Sequence, residues 1–171
     1  DIVRMFNNRY GPILHMPEAI REKAIKVPGL DGSPKMGKSE GNFIGLTDSD
    51  EEIYAKLKVA VTDPQRKRLS DSGRPMLCNM FELHELVSPQ DEVTQIQKDC
   101  EGAVIGCVDC KKCLAQNIIQ TITPMRERRV DILKEKDRVR DIIRDGGKKA
   151  RKMIIPTIEQ VRESMGIHPF I

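Results

Sequence analysis

The sequence predicts a mainly α fold. Apolar residues recur near every 3.6 positions through most segments after residue 75, the period of a helix with one buried face. Aromatic residues make up only 4% of the 171 and there is no Trp, so the core must be aliphatic, built from Leu, Ile, Val and Met. Glycines and prolines gather in residues 27–46 and polar turn residues in 65–75, which separates the helical stretches. With 39% hydrophobic residues, the chain can bury a core as one medium domain or two small ones.

Asp1–Tyr10 places Ile2, Val3, Met5 and Phe6 among arginines and stops at Gly11-Pro12, so it reads as the tail of a longer helix. Pro17–Ala24 suits a short helical turn. Ser49 and Glu52 form a capping box, and Ile53, Leu57, Ala60 and Val61 keep the helical period until Thr62-Asp63-Pro64 halts it. Leu77–Leu86, Asp91–Cys100, Cys110–Ile122, Met125–Arg144 and Thr157–Met165 follow as helices. Pro124 is expected to kink or break the long helix, and Gly146-Gly147 to end the next.

The net charge of +3 is too small to demand a nucleic-acid partner. From Arg126 to Lys152, however, basic residues outnumber acidic ones by 12 to 6. That excess suits either an RNA-backbone contact or a solvated helix face laced with pairs among Asp131, Lys134, Glu135 and Arg138. No apolar run reaches the roughly 20 residues that span a bilayer, and the amino terminus lacks a signal-peptide pattern. A cytoplasmic protein with no membrane partner is the default expectation.

The most informative stretch is Lys35-Met36-Gly37-Lys38-Ser39, preceded by Pro28-Gly29-Leu30-Asp31-Gly32 and followed by Glu40-Gly41-Asn42. Its glycines let the backbone approach a ligand closely, and two lysines three apart supply mobile ammonium groups for a polyphosphate. Alone, such a pentapeptide serves equally as a solvated basic turn.

Five cysteines without a secretory pattern argue against a disulfide scaffold. Cys100, Cys107, Cys110 and Cys113 form C-x6-C-x2-C-x2-C, and Cys78 lies upstream. Spacing alone suits an iron-sulfur cluster or a zinc ion nearly equally, and unligated buried thiols are a third reading. His15, His84 and His168 have no acid or nucleophile at a recognisable spacing, so they read as packed or solvated.

The lysine loop with its flanks resembles the KMSKS signature of class I aminoacyl-tRNA synthetases in their tryptophanyl branch. Thr62-Asp63-Pro64, Arg74-Pro75, Gly106 to Lys112, Pro124 to Arg129, Gly147 to Arg151 and Met165-Gly166 match that family in order. The resemblance implies the carboxy-terminal half of a tryptophan-tRNA ligase. Residues 1–64 would be the end of a Rossmann-type α/β catalytic domain and 65–171 a helical anticodon-binding domain. The ligands implied are ATP with Mg2+, tryptophan and tRNA, and the assembly implied is a homodimer.

Lys35 and Lys38 would carry the catalysis, with Lys35, Met36, Gly37, Lys38 and Ser39 binding ATP. Gly37 stands where the family has serine, an exchange expected to loosen the loop. Some bacterial members bind a 4Fe-4S cluster, and by resemblance its ligands here are Cys78, Cys100, Cys107 and Cys110, with Cys113 left over. The first spacing, x21, is one residue shorter than the family's usual one. Zinc on Cys100, Cys107, Cys110 and Cys113 is the competing assignment. The first signature and the amino-acid pocket lie outside the sequence, so the chain alone is expected to be inactive. A tyrosyl-tRNA synthetase and a synthetase-like metal-binding RNA module are the alternatives.

Overall fold

The computed structural model describes residues 1–20 and 26–167. Among these, all regular structure is helical, with no strand. The elements are α1 (Ile2–Tyr10), α2 (Asp50–Val59), a 3-10 turn (Pro75–Leu77), α3 (Asn79–Val87), α4 (Gln90–Glu101), α5 (Cys107–Lys134) and α6 (Lys136–Ser164). None of these helices is long and apolar enough to cross a membrane. By packing, the chain separates into Ala24–Val130 and a second unit made of Asp1–Lys23 with Asp131–Ile171.

Ala24–Val130 holds the core. Ile53 and Leu57 of α2, Met80 and Leu83 of α3, and Leu114, Ala115, Ile118 and Ile122 of α5 form one buried cluster that Leu30 joins. Phe81, Val93 and Ile96 make a smaller one against Cys78, Cys110 and Cys113. The expected aliphatic core is therefore present, with Phe81 as its aromatic member. α2 starts as the sequence requires, since the Ser49 hydroxyl accepts from the Glu52 amide and the Glu52 carboxylate accepts from the Ser49 amide at 2.7 Å. Its buried positions are Ile53 and Leu57, with Ala60 just beyond its end, while Val61 is 44% exposed. Lys111 of α5 donates to the free carbonyls of Lys58 and Ala60, at 3.0 and 2.6 Å, which caps the end of α2.

In the other unit, Asn7 of α1 exchanges two hydrogen bonds with the backbone of Leu14, which folds the chain back after Gly11. The α6 helix carries ion pairs three residues apart, among them Arg138 with Glu135, Arg140 with Asp137 and Arg144 with Asp141. These are i,i+3 pairs, and Lys134 takes Asp131 as its partner. Ile142, Ile143, Ile154 and Ile155 of α6 are exposed.

The expected end at Gly146-Gly147 is absent, and of the kink or break expected at Pro124 no break occurs. α5 runs through Pro124, and α6 runs through Gly146-Gly147 and Pro156. Before Pro124, the hydroxyls of Thr121 and Thr123 bond the Asn117 and Ile119 carbonyls, four residues back, at 2.8 and 2.7 Å. The glycine pair weakens α6 by about 1 kcal/mol per residue relative to alanine, which a 29-residue helix absorbs by cooperativity. The helix boundary lies instead at Glu135, whose φ of −111° and ψ of 54° leave the helical region. The expected turn at Pro17–Ala24 shows no regular structure in residues 17–20, and its remainder lies outside the described residues.

Removing the α2 cap tests this assignment. Ser49→Ala should cost about 1 kcal/mol in urea unfolding of the chain, and an unchanged midpoint would show that tertiary packing alone fixes the start of α2.

Candidate functional site

The lysine loop is built on a short knot of polar groups. Leu30 is buried, donates to the Asn42 carbonyl at 3.0 Å and accepts from the Val61 amide at 2.7 Å, which ties the loop to the end of α2. Gly29 donates to the Ser33 carbonyl and Met36 to the Val27 carbonyl, at 2.9 and 2.8 Å. A Cβ at Gly29 would overlap Ser33 Oγ, Asn42 Nδ2 and Asp31 Oδ1, so only glycine fits there. The Asp31 carboxylate accepts from the Ser33 hydroxyl, the Asn42 amide and the Ser33 N–H, bonds that lower its pKa to about 2.

Above this base the side chains of Lys35, Lys38 and Ser39 are exposed. Met36 is partly buried against the core, which makes it an anchor of the loop. Gly37 donates to Asn42 Oδ1 at 2.8 Å and accepts from the Glu40 amide at 3.2 Å, so the residue expected to loosen the loop is held at both backbone groups. Ser39 Oγ lies 3.3 Å from Glu40 Oε1. The site therefore presents two ammonium groups from a tethered backbone, an arrangement suited to an anionic ligand.

The second site is the cysteine group. Cys78, Cys100, Cys107 and Cys110 line one small cavity of about 20 Å³, walled also by Asp63, Arg66 and Phe81. Cys78 precedes α3, Cys100 sits near the end of α4, and Cys107 and Cys110 occupy the first turn of α5. Burial and the neighbouring thiols Cys78, Cys100 and Cys107 push the Cys110 thiol up to about 12. Burial also raises Cys100, whereas the Arg66 guanidinium, 3.5 Å from its sulfur, opposes that shift. As they stand, no three His, Cys, Asp or Glu side chains among the described residues are close enough to hold a metal ion.

Cys113 belongs elsewhere. It does not line that cavity, and its thiol donates to Glu92 Oε1 at 2.8 Å, with its pKa raised to about 11 by burial and by that carboxylate. His84, fully buried in α3, lies 2.7 Å from Ser88 Oγ and 3.2 Å from the Cys110 carbonyl. Burial lowers its pKa, so it packs as a neutral ring. His15 is exposed, and His168 lies outside the described residues.

Three residues that shape these sites, Asp63, Arg66 and Arg74, were not among the expected site residues, although Asp63 and Arg74 lie in segments that match the family. Asp63 is 5% exposed and accepts from the Arg74 backbone N–H at 3.1 Å, from Arg74 Nε at 3.0 Å and from the Gln65 N–H at 3.0 Å. Arg66 donates to the Leu69 and Ile105 carbonyls at 3.2 and 2.7 Å. Asp63 and Arg74 are 11 residues apart, a separation that no helical or strand period singles out.

The sequence profile described as "tRNA synthetases class I (W and Y)" matches residues 1–123. The chain belongs to that family. The tryptophan-tRNA ligase of Deinococcus radiodurans is 38% identical over 97% of this chain and 51% of its own length. That of Thermotoga maritima is 38% identical over 98% of this chain and 51% of its own. In three dimensions the chain is similar to tryptophanyl-tRNA synthetase from Campylobacter jejuni, described in complex with ADP and tryptophan. The TM-score is 0.76 at 26% identity, covering 96% of this chain and 51% of that one. The chain thus spans about half the length of the curated relatives it matches, and its helical architecture is similar to that of the matched region.

The Asp63–Arg74 pair gives a pH test with a definite sign. Arg74 holds the Asp63 carboxyl at about 2, below the ordinary 3.8, so its contribution is present above pH 3.8 and lost as pH falls toward 2. Asp63→Asn should therefore destabilise the chain by roughly 2 kcal/mol at pH 6, allowing for solvent around the guanidinium. The gap from wild type in urea unfolding should close between about pH 4 and 2, and a gap independent of pH would show that the charge is immaterial.

Proposed function

We propose that this chain is the carboxy-terminal half of a tryptophan-tRNA ligase, an enzyme that activates tryptophan with ATP and charges tRNA(Trp). The observation that supports it most is the tethered loop with exposed Lys35 and Lys38, in a chain whose relatives at 37–38% identity are named tryptophan-tRNA ligases. The tyrosyl alternative shares the family profile, but the similar proteins above are tryptophanyl. We assign residues 1–64 to the end of the catalytic domain and 65–171 to a helical anticodon-binding domain. Homodimer formation belongs to the same reading.

In this mechanism Lys38, with Lys35, follows the charge that develops on the pyrophosphate leaving group; Mg2+ bound with the nucleotide would supply further positive charge there. Such a contact is worth most in the transition state, where the charge is greatest. Ser39 donates a secondary hydrogen bond to the nucleotide. In an enzyme completed with its amino-terminal half, Lys38→Ala should lower the rate of tryptophan-dependent pyrophosphate exchange roughly 100-fold while tryptophan binding changes little. Stopped-flow activation kinetics and equilibrium binding separate the two, and unchanged activation removes Lys38 from the mechanism. The 171-residue chain alone should show no exchange.

The cysteine group suits a soft metal centre in its donor chemistry, since four thiols from three elements line one cavity and no disulfide joins them. We propose Cys78, Cys100, Cys107 and Cys110 as ligands of a 4Fe-4S cluster with a structural role. A cavity of about 20 Å³ admits little more than a water molecule, so side-chain movement must accompany loading. The bound group would supply positive charge that favours the thiolates and cross-link α4, α5 and the segment before α3. Zinc on the contiguous set is the lesser reading, because Cys113 is engaged by Glu92.

Anaerobic purification with iron and zinc analysis tests this assignment. Cys107→Ser should lose the chromophore and Cys113→Ser should keep it. Gly73→Ala should also lower iron content, because a Cβ there would collide with Cys100 Sγ. Stoichiometric zinc that depends on Cys113 but not on Cys78 would establish the contiguous set instead.

A further inference from the structure

The lysine loop is held by two asparagines. Asn42 is 5% exposed, and its side-chain amide uses both ends. Oδ1 accepts from the Gly37 N–H at 2.8 Å, while Nδ2 faces Asp31 Oδ1 at 2.9 Å, Ser33 Oγ at 2.8 Å and the Lys35 carbonyl at 3.2 Å. It therefore bonds the backbone of Lys35 and of Gly37, the residues that bracket Met36, and restrains the segment from which both lysines project.

The second asparagine comes from the helical part. Asn79, the first residue of α3, donates from Nδ2 to the Gly29 and Ser33 carbonyls at 3.0 and 3.3 Å, across sequence separations of 50 and 46 residues. Gly29 and Ser33 already pair with each other through the Gly29 N–H at 2.9 Å, so Asn79 closes the base of the same turn that Asn42 braces from within.

The chemistry of both positions demands a primary amide. At Asn42 an aspartate would keep the acceptor for Gly37 but lose the donor and face the Asp31 carboxylate, while a leucine of similar shape would leave the buried partners unpaired. At Asn79 a carboxylate would meet two carbonyl oxygens, though at the first turn of a helix its charge would not weaken α3. We propose that Asn42 and Asn79 are positioning residues for the phosphate loop, fixing the backbone on which Lys35 and Lys38 move. The inference rests on the reading of the loop as ATP-handling. An error of about 1 Å in the origin of a catalytic lysine can cost roughly 100-fold in rate, so the constraint has kinetic consequences.

The test has a structural arm and a kinetic arm. In the 171-residue chain, amide hydrogen exchange at Gly37 should accelerate at least roughly tenfold in Asn42→Leu, which removes its acceptor, and in Asn79→Asp, while the unfolding midpoint of Asn79→Asp stays near wild type. In the enzyme completed with its amino-terminal half, both variants should lower kcat for tryptophan-dependent pyrophosphate exchange by roughly 10- to 100-fold with the KM for tryptophan little changed. Asn79→Gln, which keeps the donor, should recover part of the rate. If Asn42→Leu does not fold, Asn79→Asp and Asn79→Gln decide. Unchanged Gly37 exchange, or a loss shared equally by kcat, tryptophan binding and the unfolding midpoint, overturns the positioning role. A wild-type completed enzyme without exchange activity defeats the ATP reading instead, and Gly37 exchange still reports whether the asparagines hold the loop.

Discussion

The buried Asp63 carboxylate is the constraint on which the larger unit depends. By accepting from the Arg74 backbone and side chain and from the Gln65 N–H, it closes the segment from 63 to 74 into a loop of fixed outline. That closure brings Gly73 against Cys100, where the Gly73 N–H donates to the Cys100 carbonyl at 2.9 Å, and lays Arg66 beside the Cys100 sulfur. It adds to the bonds from Lys111 to the end of α2 and to the apolar cluster shared by α2 and α5, which also join the end of α2 to the cysteine segment. The loop occupies the stretch that composition marks as a linker, yet it is structured by charge and not by apolar packing.

Pattern made some of this legible and geometry the rest. The capping box at Ser49 and Glu52 and the aliphatic period after it are local, so the start and buried face of α2 follow from the residues themselves. The stop placed at Gly146-Gly147 and the break allowed at Pro124 rest on local propensity, which the continuous helices overrode. Asn42 stood inside a recognised stretch, but its role depends on groups at 31, 33, 35 and 37 that meet only when the chain turns at Gly29. The partners of Asn79 lie some 50 residues away, which no sequence period reveals. His84 read as packed or solvated, and it is packed, but its place against Cys110 joins positions 26 residues apart.

The lysine loop and the cysteine group share a mechanical neighbour. Cys78 and Asn79 are adjacent, one facing the thiol cavity and the other bonding the carbonyls beneath the loop. Cys78 also packs against both apolar clusters. The entry to α3 is thus a shared support for the two sites, with rigidity supplied by core packing and direction by the asparagine amide.

The thiol that Glu92 holds has a different evolutionary freedom from the other four. Glu92 also accepts from Asn117 at 2.6 Å, so the carboxylate is already committed and asks only for a donor at position 113. A serine hydroxyl donates more strongly than a thiol and occupies less space, so position 113 can drift between the two residues at little cost to the fold. Under the proposed cluster assignment the other four thiols would have no such latitude, because losing one would leave three without purpose. Among related sequences, Cys78, Cys100, Cys107 and Cys110 should therefore appear or vanish together, while the residue at 113 varies on its own schedule.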